Sequence, residues 1–183
     1  MVSYRMEVTY SAGAPMTALI RPETPADIPA VHALTEAAFR TAAHSAGTEQ
    51  FIVDALRRAG ALAVSLVAVA EGTVIGHVAV SPVVLSGGEP DWYGLGPISV
   101  LPPRQRTGVG SRLMHAALQA LRERGAAGCL LVGDPAYYNR FGFRPATGLE
   151  YPGVPPEYFM AVSFGAALPQ GVATFHAAFG DTA

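Results

Sequence analysis

Residues 99–111 read Ser-Val-Leu-Pro-Pro-Arg-Gln-Arg-Thr-Gly-Val-Gly-Ser, and no other stretch constrains the fold as much. A strand-like run over 91–101 ends there. A loop with two prolines and two arginines follows, then Gly108 and Gly110. The apolar stripe Val109, Leu113, Ala116, Ala117, Ala120 and Leu121 comes next, at helical spacing, and Gly125 stops it. The chain must therefore turn from strand into helix at two glycines. The first N–H groups of a helix have no partner within it, and the helix dipole adds positive potential. Glycines let an anion approach such a backbone without Cβ interference. Arg104, Arg106 and Arg112 add charge nearby. The stretch predicts a cradle for a diphosphate or similar anion at the start of an amphipathic helix.

Two other phosphate motifs fit less well. A Walker loop ends in Gly-Lys-Ser/Thr, and all twelve basic residues of this chain are arginine. A dinucleotide fingerprint needs a third small residue where Leu113 stands, and its first glycine directly follows the strand. Here residues 102–107 intervene. A Gly-x-Gly helix start also occurs with no ligand at all.

Patterning around this point predicts interleaved helices and strands. Residues 17–21 read as a short strand. Thr24-Pro25-Ala26-Asp27 carries a capping threonine, a proline suited to the first helical position and an acid at the complementary place. Ile28, Val31, Leu34 and Ala38 follow at helical spacing. A second helix is expected over 48–58 with Phe51, Ile52, Ala55 and Leu56 inward. Residues 63–70 and 74–84, split by Glu71-Gly72-Thr73, signal a hairpin. Gly94, Gly96 and Pro97 interrupt the next strand and predict a bulge or splay. Further strands are expected over 128–132, 143–145, 158–164 and 172–175, with a short helix over 134–140. The mixture predicts an α/β (α+β) domain over 16–183 with a mixed, mostly antiparallel sheet. Residues 1–15 read as an N-terminal extension outside that domain or as a start placed too early, and disorder is expected there as at many chain termini.

Composition narrows the function. Of 183 residues, 50% are apolar and 14% charged, which fits a core-rich globular chain. A net charge of −2 gives no electrostatic footprint for nucleic acid. There is no signal-like apolar segment and no membrane-length run, so a cytoplasmic chain without a membrane partner is expected. The single cysteine, Cys129, lies in the apolar run 128–132 and reads as a buried structural thiol. His32, His44, His115 and His176 show no metal spacing, and His77 lies in an apolar strand as a structural histidine would. No metal is expected.

Gln105-x-x-Gly108-x-Gly110 after Val100-x-Pro102 resembles the acetyl-CoA signature of the GNAT N-acetyltransferases. Gly133-Asp134-Pro135-Ala136-Tyr137-Tyr138-Asn139-Arg140-Phe141-Gly142-Phe143 resembles a YhbS-like bacterial group within them. The resemblance spans roughly residues 16–179. It implies the acyl-CoA N-acyltransferase fold, with a splayed mixed sheet flanked by helices and acetyl-CoA as co-substrate. The pantetheine arm would add to the strand before the turn, making Ile98, Ser99 and Val100 backbone contacts. Gln105, Arg106, Thr107, Gly108, Val109, Gly110 and Ser111 would cradle the pyrophosphate, and Asn139 would aid the cofactor.

The resemblance also implies N-acetyl transfer to a primary amine by direct attack. Its proton donor is often the tyrosine of Tyr-x-x-x-Gly-Phe, matched by Tyr138 to Phe143, so Tyr138 is the expected general acid. Tyr137 would face another side of the helix. For a base, Glu89, Asp91 and Asp134 are nearest in sequence, although Asp134 equally reads as a helix cap and a water chain can serve instead. The alternative is a non-catalytic acyl-CoA-binding or partner-binding module on the same fold. A longer acyl group is a variant of the enzyme reading. Acceptor-side walls are expected from residues 39–51 and the Pro-rich, aromatic 151–159. The acceptor, a small-molecule or peptide amine, is not selected by any residue. Homodimers are common in the family and are an expected assembly.

Overall fold

The structure, a computed structural model, describes residues 18–40, 47–165 and 167–180, so the expected extension over 1–15 lies outside the described residues. Strand β1 (Leu19–Pro22) enters a turn in which the Thr24 N–H and hydroxyl both donate to Asp27 Oδ2, each at 2.8 Å. Arg21 completes this knot with Nη1 2.7 Å from the same oxygen. Satisfying these end groups starts helix α1 (Ile28–Phe39), as the capping pattern predicts.

Helix α2 (Glu49–Arg58) follows, then the hairpin β2 (Val64–Ala70) and β3 (Thr73–Pro82), the short β4 (Val84–Leu85) and the long β5 (Trp92–Val100). Helix α3 (Val109–Glu123) leads to β6 (Gly128–Val132) and the one-turn α4 (Pro135–Tyr138). The chain closes with β7 (Arg144–Pro145), β8 (Leu149–Glu150), β9 (Phe159–Ser163) and β10 (Gly171–Thr174).

Seven strands form one sheet in the order β1-β2-β3-β5-β6-β9-β7, and β4, β10 and β8 form a smaller one. Only the β5–β6 pair in the large sheet is parallel. Leu113, Met114 and Leu121 of α3 pack one face against Val78, Cys129 and Leu131. Val31 of α1 and Val53 of α2 cover the other face with Val67 and Ala79.

Two expectations about helix faces need correction. Phe51 does not point inward: it is 52% exposed, its ring edge-on to His32 at 5.6 Å, while Gln50 and Val53 are buried. The apolar spacing of α2 fits two neighbouring faces, and contact with α1 and the sheet selects the one without Phe51. In α3 the stripe turns toward Met114 and Leu118, leaving Ala116 and Ala120 half-buried. Larger side chains gain more from the same burial.

The sheet opens in the middle. Strand β5 pairs with β6 only at Trp92↔Gly128, Tyr93↔Cys129 and Gly94↔Leu130. Past Gly94 the two strands part. On its other side β5 stays with β3, but Gly96 and Pro97 together oppose Ala79 alone, between Leu95↔Val80 and Ile98↔Val78. This is the bulge expected at these residues, and the Gly96–Pro97 bond within it is cis.

Candidate functional site

The splay leaves residues 95–100 of β5 with one free edge. The Leu101 N–H donates to Ile75 O at 3.0 Å, toward β3. Backbone groups alternate sides along a strand, so Ser99 also faces β3 while Ile98 and Val100 face the opening. The Ser99 hydroxyl points away too, donating to Thr35 Oγ1 at 3.2 Å in a buried contact. Of the three predicted strand residues, Ile98 and Val100 line the opening and Ser99 does not.

A cleft of about 640 Å3 continues from this edge over the start of α3. Ile98, Val100, Gln105, Arg106, Gly108, Gly110 and Ser111 line it, joined by Tyr137 and Arg140. The Gln105 amide donates to Val100 O at 3.1 Å and pins the loop to the strand end. Gly108 is the residue before the first helical turn and has φ 88°, a left-handed conformation that glycine adopts without Cβ strain. Gly108, Gly110 and Ser111, at the start of α3, line the cleft, and the first N–H groups of a helix have no partner within it.

Other predicted residues sit elsewhere. Thr107 closes its own turn, its hydroxyl donating to Arg104 O at 2.6 Å. Val109 is buried in the core under β3. Asn139 is exposed, and its carbonyl accepts from Arg144 Nη1 at 3.0 Å. Arg112 reaches away from the turn and donates to Ala18 O. Arg140 was missed by the sequence reading, and Tyr137 was placed there only on another side of the helix from Tyr138. Their i, i+3 spacing on a short helix was the available signal, and the Arg140 guanidinium lies 4.7 Å above the Tyr137 ring.

Helix α4 presents two consecutive tyrosines in different directions. Asp134 caps it by accepting from the Ala136 N–H at 2.8 Å, so its role is structural. Tyr137 and Tyr138 meet edge to face at 5.0 Å. Tyr137 lines the first cleft; Tyr138 lines a second cavity of about 350 Å3 on the other side of β5. The Tyr138 ring rests on Gly133, where a Cβ would lie 2.1 Å from Cε2. Burial, and secondarily Tyr137, push the Tyr138 hydroxyl up to about 12.

Leu95, Gly96, Pro97 and Ile98 border this second cavity, and Ile98 borders the first as well. The two spaces therefore meet at the bulged edge of β5, with one tyrosine on each side. Phe39, Glu49 and Tyr151 come from the two segments expected to wall the acceptor side, Ile52 lies just beyond the first of them, and Phe175 and Phe179 come from the C-terminal segment.

The remaining titratable candidates take no part in either cavity. Glu89 and Asp91 are exposed before β5. His77 is fully buried, with Nε2 2.8 Å from Ser65 Oγ and 3.3 Å from Glu23 Oε2. Burial outweighs Glu23 and holds this imidazole below its usual pKa, so it is neutral at neutral pH. Glu23 is also bound by Arg57 Nε at 2.8 Å, a cluster that ties β1 to α2 beneath the sheet. Cys129 is buried and its thiol is pushed up by that burial. Among the described residues no cluster of three or more His, Cys, Asp or Glu side chains is placed to hold a metal. No helix there is long and apolar enough to cross a membrane.

Residues 28–143 match the acetyltransferase (GNAT) family. The uncharacterized N-acetyltransferase YhbS of Escherichia coli is 40% identical over 129 residues, 70% of this chain and 74% of that protein. A crystal structure of a GNAT family acetyltransferase from Brucella melitensis, in complex with acetyl-CoA, is 48% identical with a TM-score of 0.80, covering 90% of this chain and 99% of that one. The Escherichia coli YhbS structure, in complex with CoA, is 34% identical with a TM-score of 0.79, covering 93% and 96%.

Proposed function

The chain belongs to the acetyltransferase (GNAT) family, and from that premise we propose that it moves an acetyl group from acetyl-CoA to a primary amine by direct attack, with Tyr138 serving the leaving sulfur. The observation that carries this reading is the junction at Ile98, where the phosphate-ready cleft and the second cavity meet across the free edge of β5. A thioester that follows this edge reaches the junction, and an amine in the second cavity approaches its carbonyl carbon from the other side.

Each group then has a task. The open N–H groups of α3, with Gly108, Gly110 and Ser111, bind pyrophosphate, and Arg106 and Arg140 add charge at the cleft rim. The outward backbone of Ile98 and Val100 pairs with the pantetheine amides as an added strand would, and an N–H at this edge polarises the acetyl carbonyl. Ser99 drops out of the direct contact set, because its backbone faces β3 and its hydroxyl meets Thr35, and the Thr107 hydroxyl is already bonded to Arg104 O. Val109 contributes its backbone only.

As the amine nitrogen bonds to the carbonyl carbon, the carbon–sulfur bond breaks and the thiolate leaves. Tyr138 is protonated at every working pH, so it donates a hydrogen bond to the developing thiolate. Complete proton transfer from a hydroxyl near 12 to a thiolate near ~8.5 is uphill by itself. The proton shed by the attacking nitrogen restores the tyrosine and offsets that cost. Tyr138→Phe should cut kcat by roughly 10²-fold or more, the usual share of a positioned acid, with acetyl-CoA affinity unchanged by titration calorimetry. Full turnover in that variant would remove Tyr138 from the mechanism.

A further inference from the structure

Tyr137 touches both halves of the site, yet only its neighbour Tyr138 has a task in acetyl transfer. A Cβ added at Gly110 would lie 3.1 Å from the Tyr137 hydroxyl and 3.7 Å from Val100 Cγ2. The hydroxyl therefore stands over the first turn of α3, among Val100, Gly108, Gly110 and Ser111 of the cleft lining. The Tyr137 ring also meets Tyr138 edge to face, at 5.0 Å and 88°. One side chain thus reaches from the phosphate-ready turn to the tyrosine of the second cavity.

Its neighbours hold it in that place. The Phe141 ring meets Tyr137 at 5.4 Å. The Arg140 guanidinium covers the Tyr137 ring face at 4.7 Å, and Arg140 Nε donates to Tyr137 O at 2.9 Å. Tyr138 in turn has three supports: the Gly133 backbone, the Phe143 ring at 6.2 Å and the Tyr137 ring. Of these only Tyr137 lines the cofactor cleft. Edge-to-face ring pairs are directional, so losing this one frees Tyr138 toward that cleft.

Building on the acetyltransferase reading, with Tyr138 as the proton donor, we infer that Tyr137 binds the cofactor and positions Tyr138. Its O–H donates to a phosphate oxygen of acetyl-CoA, and its ring fixes Tyr138 beside the thioester sulfur. A bound diphosphate anchors the hydroxyl and with it the ring, so cofactor occupancy and placement of the acid are linked.

The test uses the full-length protein, calorimetry with acetyl-CoA and free-thiol release. The acceptor is whichever of 2-phenylethylamine, spermidine and an N-terminal-alanine hexapeptide gives the highest kcat/KM. Tyr137→Phe should raise the acetyl-CoA Kd about tenfold, the loss of one hydrogen bond to a charged group. It keeps the ring, so its kcat should stay within about twofold of wild type. Tyr137→Leu should raise the Kd similarly and also lower kcat about tenfold or more, because Tyr138 is no longer held. Added to Tyr138→Phe, Tyr137→Leu should change kcat by less than about twofold, since it acts through a hydroxyl already gone. An unchanged Kd in Tyr137→Phe would overturn the binding role. Equal kcat in the Phe and Leu variants, or additive kcat losses in the double variant, would overturn the positioning role. Full turnover in Tyr138→Phe would remove the acid and the positioning role with it, and the Kd of Tyr137→Phe would still decide the binding role. A wild-type protein that binds no acetyl-CoA, or that turns over none of the three amines, would instead overturn the acetyltransferase reading beneath both.

Discussion

Gly133→Ala tests the placement of Tyr138 without touching its hydroxyl. Gly133 sits between β6 and α4, and a methyl group there would lie 2.1 Å from Tyr138 Cε2 and 2.7 Å from Cδ2. Carbon atoms rest at about 3.5–4.0 Å, so the ring must retreat by more than about 1 Å. The Gly133 N–H is held by Tyr158 O at 2.9 Å, and Phe143 stands behind the ring with centroids 6.2 Å apart. The backbone is thus fixed on one side, and the ring has to leave its place. A catalytic group displaced by about 1 Å costs on the order of 10²-fold in rate. Steady-state kinetics with saturating acetyl-CoA should show that loss in kcat. Calorimetry should show an unaltered acetyl-CoA Kd, because Gly133 and Tyr138 are absent from the lining of the first cleft. Wild-type kcat in a folded Gly133→Ala protein would refute the claim that the position of Tyr138 matters to catalysis.

Arg140→Ala should weaken acetyl-CoA binding by roughly tenfold and flatten its salt dependence, since Arg140 is on the phosphate side of the cleft; kcat at saturation should hold, and calorimetry at two ionic strengths checks both. Asp27→Asn should lower Tm at pH 7, because hydrogen bonds from Arg21 first, then from Thr24, hold the Asp27 carboxyl well below the carboxylate range. A depressed pKa contributes stability that is present above the unfolded value of about 3.9 and lost as pH falls through the folded one. The Tm gap between variant and wild type should therefore be full at pH 7 and narrow below about pH 4, which a thermal melt series would reveal.

The phosphate-ready turn was legible because its requirements are local. A left-handed glycine before a helix, a helix start with free N–H groups and a preceding strand lie within a dozen residues, and Gly108 has the φ that this demands. The bulge at Gly96 and Pro97 was legible for the same reason. Tyr138 was named from a motif, yet its separation from Tyr137 follows from helical geometry, since consecutive residues point about 100° apart. Asp134 had two readings, and its hydrogen bond to the Ala136 N–H chooses the cap.

Other features depend on distant segments and left no local trace. Nothing near Ser99 says that Thr35 of α1 will take its hydroxyl. Phe51 turned outward and Met114 inward because neighbours across space decide which side of an amphipathic helix is covered. Glu49, Tyr151, Phe175 and Phe179 lie as much as 130 residues apart in number and meet only when α2 and the C-terminal segment close on the splay. By itself the sequence determined the glycine turn into α3, the broken strand and the tyrosine pair, each set by backbone conformation over short range. The tertiary structure alone decided which of those residues share a cavity and what walls the second one, because burial and opposing side chains are properties of contacts between segments.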